Sequence, residues 1–446
     1  MAQVLFDDSL ARLVSTLSGL AGRSFVEAGT ALRDSSGRLT FVAARAPQNE
    51  NERETLGRAL IENLGAYARS DRPISFRGDG GAESILSAPD RLPVQVGDTF
   101  CHLVDRRIVG AGWLDAPTAG RVDPPRVVFA TLKGGVGRST ALAVAAADLA
   151  RRNRNVLVVD LDLEAPGLGD LLLDSSRTPE FGVIDYLVEN GLGGVAEASL
   201  HAYIGTSALT AAGGGRVDVF PALGRRSLAN PENILPKLSR AMIEDIIDGK
   251  SVPVAEQVSS MISRVTQREQ YDVVFIDSRA GLSELAAPAV LGLGATVLLF
   301  GTAQKQTIEG YRALFAALQL LAQRDKAQNR DTEWRTMLRP VYAKASLDND
   351  ISERFIDDMF ELYSAHIYDA EEEGGDALEA LRFVRDDQAA PHWPLIVPFS
   401  QTFVDFDPSR ISGQLTQSFY EQTYRSFLSG LEAAIAPGDI ANGPDA

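Results

Sequence analysis

RVVFATLKGGVGRSTALAVAAADLA, Arg126 to Ala150, decides how the rest of this chain is read. Val127, Val128, Phe129 and Ala130 predict a buried strand, and a glycine turn and a helix starting near Arg138 follow it. Gly134, Gly135 and Gly137, around Val136, let the backbone aim its N–H groups inward as a concave nest for phosphate oxygens. The helix start adds its own unpaired amides and the positive end of its dipole. Ser139 puts a hydroxyl where such turns meet a magnesium ion.

Against the phosphate-loop pattern G-x-x-x-x-G-K-[ST], two positions depart. Leu132 stands in place of the first glycine, and Arg138 in place of the phosphate lysine. Two later segments supply acids at strand ends. NVLVVD runs into DLDLEAPGL and delivers Asp160 and Asp162, while YDVVFIDSRAGL delivers Asp277 in a Walker B arrangement, with the Gly281 amide placed for a terminal phosphate. Ligands of open α/β sheets bind at the carboxyl ends of the strands. Carboxylates one residue apart divide the labour there, one toward a metal shell and one toward an attacking water.

The chain has 446 residues, 45% hydrophobic and 23% charged, which is ordinary for a globular protein of two or three domains. A net charge of -17 argues against a broad basic surface for nucleic acid. One cysteine, Cys101, excludes an internal disulfide, a two-cysteine zinc clip and a single-chain iron–sulfur site, so a reducing cytoplasm is expected. Neither a signal peptide nor an apolar run of membrane-spanning length is present. Few of the basic residues are lysine, which singles out Lys133 inside the glycine turn.

Residues 1–115 read as a small α+β sensor or docking domain. Leu10, Leu13, Val14 and Leu17 fall at helical spacing, Arg38–Ala44 reads as a strand and Glu52–Ala68 as a helix. Cys101–Leu114 reads as a hairpin turning at Asp105–Arg107, with Arg106 and Arg107 as a charged tip. Ala116–Pro125 reads as a linker. Residues 126–436 then alternate strands and helices, predicting a mostly parallel, doubly wound sheet. The strand candidates are Asn155–Asp160, Val217–Phe220, Tyr271–Asp277, Ala295–Phe300, Pro340–Tyr342 and Leu395–Pro398. Gly191–Gly194 and Gly213–Gly215 read as loops, residues 346–387 as an acidic lobe, Gln414–Ile435 as a helix packed on the sheet, and 437–446 as a disordered tail.

KGGVGRST, DLDLEAPGL and DSRAGL, in that order, resemble the ParA/MinD group of deviant Walker ATPases across roughly 126–435. The resemblance implies a P-loop NTPase fold with ATP and Mg2+ as cofactors. Lys133 is then the signature lysine, reaching the nucleotide of the opposite subunit in an ATP-dependent homodimer. Asp162 is the water-positioning aspartate, Ser139, Asp160 and Asp277 support magnesium, and Thr140 lies next to the α-phosphate. Gly134, Gly135, Val136, Gly137 and Arg138 complete the nucleotide loop. Arg279 stands where the family commonly has proline, either toward the γ-phosphate or a partner, or as a structural arginine.

The function expected is a slowly hydrolysing dimerisation switch that recruits a protein partner or cargo through the N-terminal domain or the acidic lobe. Partition, positioning, signalling and defence remain open as its setting, and DNA binding would need a local arginine patch. Two alternatives stand beside it: a nucleotide-sensing scaffold without turnover, and an ATP-dependent ligase with a small-molecule pocket.

Overall fold

Apolar strands without polar alternation need cover on both faces. The computed structural model, which describes residues 4–208, 214–247, 250–370 and 380–435, provides it. The chain divides into two compact units, Met1–Asp115 together with Ala317–Thr332, and Ala116–Ala316 together with Glu333–Ala446.

The strands are numbered in chain order. Those of the first unit are β1 Thr30–Arg33, β2 Leu39–Ala43, β3 Ile74–Phe76, β4 Leu92–Val96 and β5 Thr99–Asp105, joined in the order β3-β2-β1-β5-β4. Helices Phe6–Ala21 and Glu50–Leu64 close one face through Leu13, Leu17, Leu56 and Leu60, which meet Phe41 and Phe76 in one core. Arg324 is fully buried in this unit, and its guanidinium donates to the carbonyls of Leu114 and Asp115.

The hairpin expected at Asp105–Arg107 is not formed. The hairpin is β4–β5, whose Val96↔Thr99 pair closes over Gly97, at φ +58°. Beyond Asp105 the chain leaves the sheet, because β5 already has β1 on one side and β4 on the other and offers no open edge to a following strand. Arg106 pairs with Asp90, and Arg107 lies 2.8 Å from Asp105, so both tip arginines already have acidic partners.

One acid in this unit makes stability depend on pH. Asp79 accepts from both Nη atoms of Arg53, at 2.8 and 3.1 Å, and from the Phe76 amide at 2.8 Å. Arg53 above all holds its carboxyl well below the usual carboxylate range. A carboxylate depressed in the folded state stabilises above its unfolded pKa and loses that contribution as pH falls. Asp79→Asn is therefore expected to cost about 1–2 kcal/mol near neutrality. That deficit should shrink as the pH is taken from about 5 to about 2 in urea titrations. A deficit that stays constant with pH would place its origin elsewhere.

The second unit carries β6 Arg126–Thr131, β7 Val156–Asp160, β8 Gly205–Thr206, β9 Val217–Phe220, β10 Asp245–Ile247, β11 Lys250–Val252, β12 Val273–Ala280, β13 Thr296–Gly301, β14 Leu338–Ala345 and β15 Leu395–Pro398. Eight of them form one sheet in the order β15-β14-β13-β6-β12-β7-β9-β8. Every pairing in it is parallel except β8 with β9. This is the α/β, mostly parallel architecture that the alternation of elements predicts, with the small α+β unit beside it in sequence.

β6, β7 and β13 are buried along their whole length. The helix Arg138–Arg151 packs its alanine-rich body into the same cluster as Phe129, Phe275 and Phe300. The helix Gln417–Ile435 lies on the sheet as expected, with Phe427 6.0 Å from the Phe300 ring. Ala116–Pro125, expected as a linker, groups with this unit, and the Thr118 amide donates to Leu291. Gly191 and Gly193 lie inside the helix Val183–Gly193 rather than in a loop, and Gly194 caps it at φ +77°. In the acidic region Asn349–His366 is a helix whose Phe355, Met359 and Tyr363 are buried. Residues 371–379, Gly213 and the tail 437–446 lie outside the described residues.

Candidate nucleotide site

β6 ends at Thr131 in the middle of the sheet, and the glycine turn leaves from its carboxyl end. The Thr131 hydroxyl lies 3.0 Å from the carbonyls of both Lys133 and Phe300, which share its one proton, and it accepts the Lys133 amide at 3.2 Å, fixing the start of the turn. Leu132, the departure from the first glycine, fits because Gly310 faces it. A Cβ built on Gly310 would lie 2.7 Å from a Leu132 methyl. The lack of a side chain that the pattern expects in the loop is found instead in the neighbouring helix, at Gly310.

Gly135 and Gly137 adopt φ of +76° and +93°, a region that residues with a Cβ rarely occupy. A Cβ added at Gly134, Gly135 or Gly137 would meet nothing within 4 Å, so an open concavity lies over the turn. Val136 is buried and anchors the turn to the core. Ala141 is the first helical amide to bond back, to the Gly137 carbonyl. The amides before it at the helix start are those that a helix leaves for an outside acceptor.

The acids converge on the same edge. β7 and β12 pair in register with Asp160 opposite Asp277, which brings two carboxylates from adjacent strands to one level. Asp160 is fully buried and accepts from the amides of Asp162 (3.1 Å) and Leu168 (3.2 Å). Burial first, and then the negative Asp277, hold its carboxyl well above the usual range. Ser139 donates to Asp277 Oδ2 at 2.7 Å.

Arg138 turns inward. Its side chain is only 9% exposed, with Nε 2.5 Å from Asp277 Oδ1 and Nη2 3.1 Å from Asp162 Oδ2, and it also donates to the Ser278 carbonyl. Arg279, the second departure, pairs with Asp162 Oδ1 at 3.1 Å and with Glu164 at 2.7 Å. Asp162 thus sits between two guanidinium groups. The Gly281 amide, expected to face a phosphate, donates instead to the Thr131 carbonyl at 2.8 Å. Lys133 is exposed, and its Nζ lies 3.2 Å from Gln304 Oε1.

The phosphate part of the site therefore fits its group, and the metal part does not. Ser139 and Asp277 meet, but Asp160 is spent on backbone amides and Arg138 fills the space between Asp162 and Asp277. Among the described residues, no cluster of three or more His, Cys, Asp or Glu is arranged to hold a metal ion. Ser139, Asp160 and Asp277 lie together at this edge, and Asp277 Oδ1, which has no hydrogen-bond partner, faces Arg138 Nε at 2.5 Å.

One part of the edge was not read from the sequence. A cavity of about 280 Å³ opens beside Gly135, Gly137 and Thr140. Its far wall is Lys344, Pro398, Phe399, Ser400, Phe403 and Val404, at and beyond the ends of β14 and β15, with Tyr424 from the helix Gln417–Ile435. Phe399 and Val404 are more than half exposed, which offers flat apolar surface next to the phosphate cradle. The signal in the sequence was an aromatic, FSQTF, directly after a strand that ends at the ligand edge of the sheet.

Its structural neighbours include ParA, McdA and MinD ATPases. One is pNOB8 ParA bound to nonspecific DNA, 12% identical, with a TM-score of 0.41 over 70% of this chain and 97% of that one. Another is the MinD cell division protein of Aquifex aeolicus, 15% identical, with a TM-score of 0.41 over 72% of this chain and 100% of that one. A third is the ATP complex of a Cyanothece McdA variant, 14% identical, with a TM-score of 0.40 over 73% and 100%. No protein-family model matches the sequence, and no curated protein does. Among the described residues no helix is long and apolar enough to cross a membrane.

Proposed function

We propose that this chain is an adenine-nucleotide-dependent dimerisation switch of the ParA/MinD kind, with slow ATP hydrolysis that resets it. The observation that carries the reading is the open glycine cradle at the start of the helix Arg138–Arg151, with Asp162 and Asp277 beside it at one sheet edge. Gly134 to Gly137 and the amides of Arg138, Ser139 and Thr140 would hold the phosphates. The apolar cavity beyond Thr140 would take the base. Lys133, exposed at the rim, would complete the site of a second copy, and Asp162 would orient the attacking water.

The output of such a switch is binding free energy: the ATP-bound form offers a partner a surface that the ADP form lacks. The partner or cargo would dock on the N-terminal unit or the acidic region 346–387. A cytoplasmic setting accords with the single buried Cys101. The two arginines clamping Asp162 favour slow turnover, because the water-positioning group must give up an ion pair before it can act. The same contacts lend weight to the second reading, a nucleotide-sensing scaffold without turnover.

Light scattering behind size exclusion tests the switch. ATP should move the wild type from monomer toward dimer, ADP should not, and Lys133→Ala should stay monomeric in both. A wild type that keeps its mass in ATP sinks the proposal. Phosphate release separates switch from scaffold. Asp162→Ala is expected to lower the rate by about 100-fold or more if the aspartate positions water. An unchanged trace would assign the scaffold.

A further inference from the structure

The cradle and the carboxylates of this site call for different groups, and one residue reconciles them. We propose that Arg138 is the resident cation of the site, standing between Asp162 and Asp277 in place of a divalent metal, so that the phosphate chain binds without Mg2+. The phosphate half of this statement rests on the nucleotide reading above; the cation half does not.

Three of the four carboxylate oxygens of Asp162 and Asp277 accept hydrogen bonds, and the fourth, Asp277 Oδ1, is held by an ion pair alone. Asp277 Oδ1 has Arg138 Nε at 2.5 Å, and Asp277 Oδ2 has the Ser139 hydroxyl at 2.7 Å. Asp162 Oδ2 has Arg138 Nη2 at 3.1 Å, and Asp162 Oδ1 has Arg279 Nη1 at 3.1 Å and the Ala165 amide at 3.3 Å. The hydroxyl that would meet a metal is thus turned to the carboxylate itself. Asp160 is withdrawn from the site by the Asp162 and Leu168 amides.

Mg2+ demands near-octahedral oxygen ligands and gives up its water reluctantly. To enter here it would have to displace a buried guanidinium. Two aspartates and the Ser278 carbonyl hold that guanidinium in a planar fork. A lysine would not reproduce this arrangement: a point charge on a flexible stem cannot bridge Asp162, Asp277 and the carbonyl together. Arginine at the helix start also brings its charge beside the amides of the cradle. Together Arg138 and Arg279 compensate Asp162 and Asp277, so phosphates over the cradle amides meet no uncompensated carboxylate there.

The test uses the full chain and has two independent readouts. In thermal melts without nucleotide, Mg2+ at matched ionic strength should leave the wild type unmoved. Arg138→Ala should melt roughly 5 °C lower and regain part of that loss on Mg2+ addition, since its carboxylates are then uncompensated. Should the alanine variant not fold, Arg138→Gln, which removes the charge but keeps a polar side chain, serves for the same melts. A wild type that Mg2+ stabilises as strongly as the variant, or a variant indifferent to Mg2+, overturns the proposal.

Binding of a fluorescent ATP is then compared in Mg2+ and in EDTA. The wild-type affinity should differ by less than about threefold, while Arg138→Lys should come to depend on Mg2+ by about tenfold or more. A tenfold loss in EDTA for the wild type overturns metal-free binding. If no nucleotide binds either protein in either buffer, the nucleotide reading fails, and with it the phosphate half; the melts still decide the cation half.

Discussion

Asp277→Ala should lower the stability of the protein by about 3–5 kcal/mol, the cost of leaving a buried charge without its partner. Asp277 is 1% exposed, near the end of a central strand, and balances the buried Arg138 at 2.5 Å. Removing the carboxylate strands the guanidinium with Asp162 and a carbonyl, and takes the acceptor from Ser139. Asp277→Asn keeps the shape and one oxygen but not the charge, and should fall between wild type and alanine. Urea titration at neutral pH reads both. An alanine variant within about 1 kcal/mol of wild type would mean that the pair adds little beyond a hydrophobic replacement.

Gly134→Val should leave the melting temperature almost unchanged and reduce ATP affinity by about 100-fold or more. In the nucleotide-free site an added Cβ at Gly134 meets nothing, and the residue has no positive φ, so the fold has no reason to object. The loss would come entirely from the ligand, whose phosphates must approach a backbone without side chains to reach its amides. Gly137→Ala provides the contrast. At φ +93° it should cost about 1–2 kcal/mol of stability in addition to affinity. If Gly134→Val binds like wild type, the phosphates do not lie over this turn.

The elements that define the site were legible because their signals are local. Uninterrupted apolar runs ending in aspartate predicted β7 and β12 with Asp160 and Asp277 at their carboxyl ends, and the strands end there or within three residues. Three glycines in four residues predicted the turn, and two of them hold positive φ. Where local signals were weak, the reading failed. A basic pair after a strand looked like a hairpin tip, but β5 pairs in parallel with a strand some seventy residues earlier, and nothing near Arg106 encodes that. The glycines of Val183–Gly193 looked like punctuation and are carried by a helix whose Val183, Ile184, Tyr186 and Leu187 are buried.

By itself the sequence determined which residues would gather at one sheet edge, since strand period, turn glycines and strand-end acids are properties of consecutive residues. It also set the identity of the charges there, including the arginine in place of the phosphate lysine. Only the tertiary structure decided what those charges do to one another. Arg138 reaches Asp162 and Asp277, which are 24 and 139 residues away, and Arg279 closes on Asp162 across 117. Whether a guanidinium faces solvent, phosphate or carboxylate depends on distances of 2.5 to 3.1 Å that exist only after three strands have aligned in register.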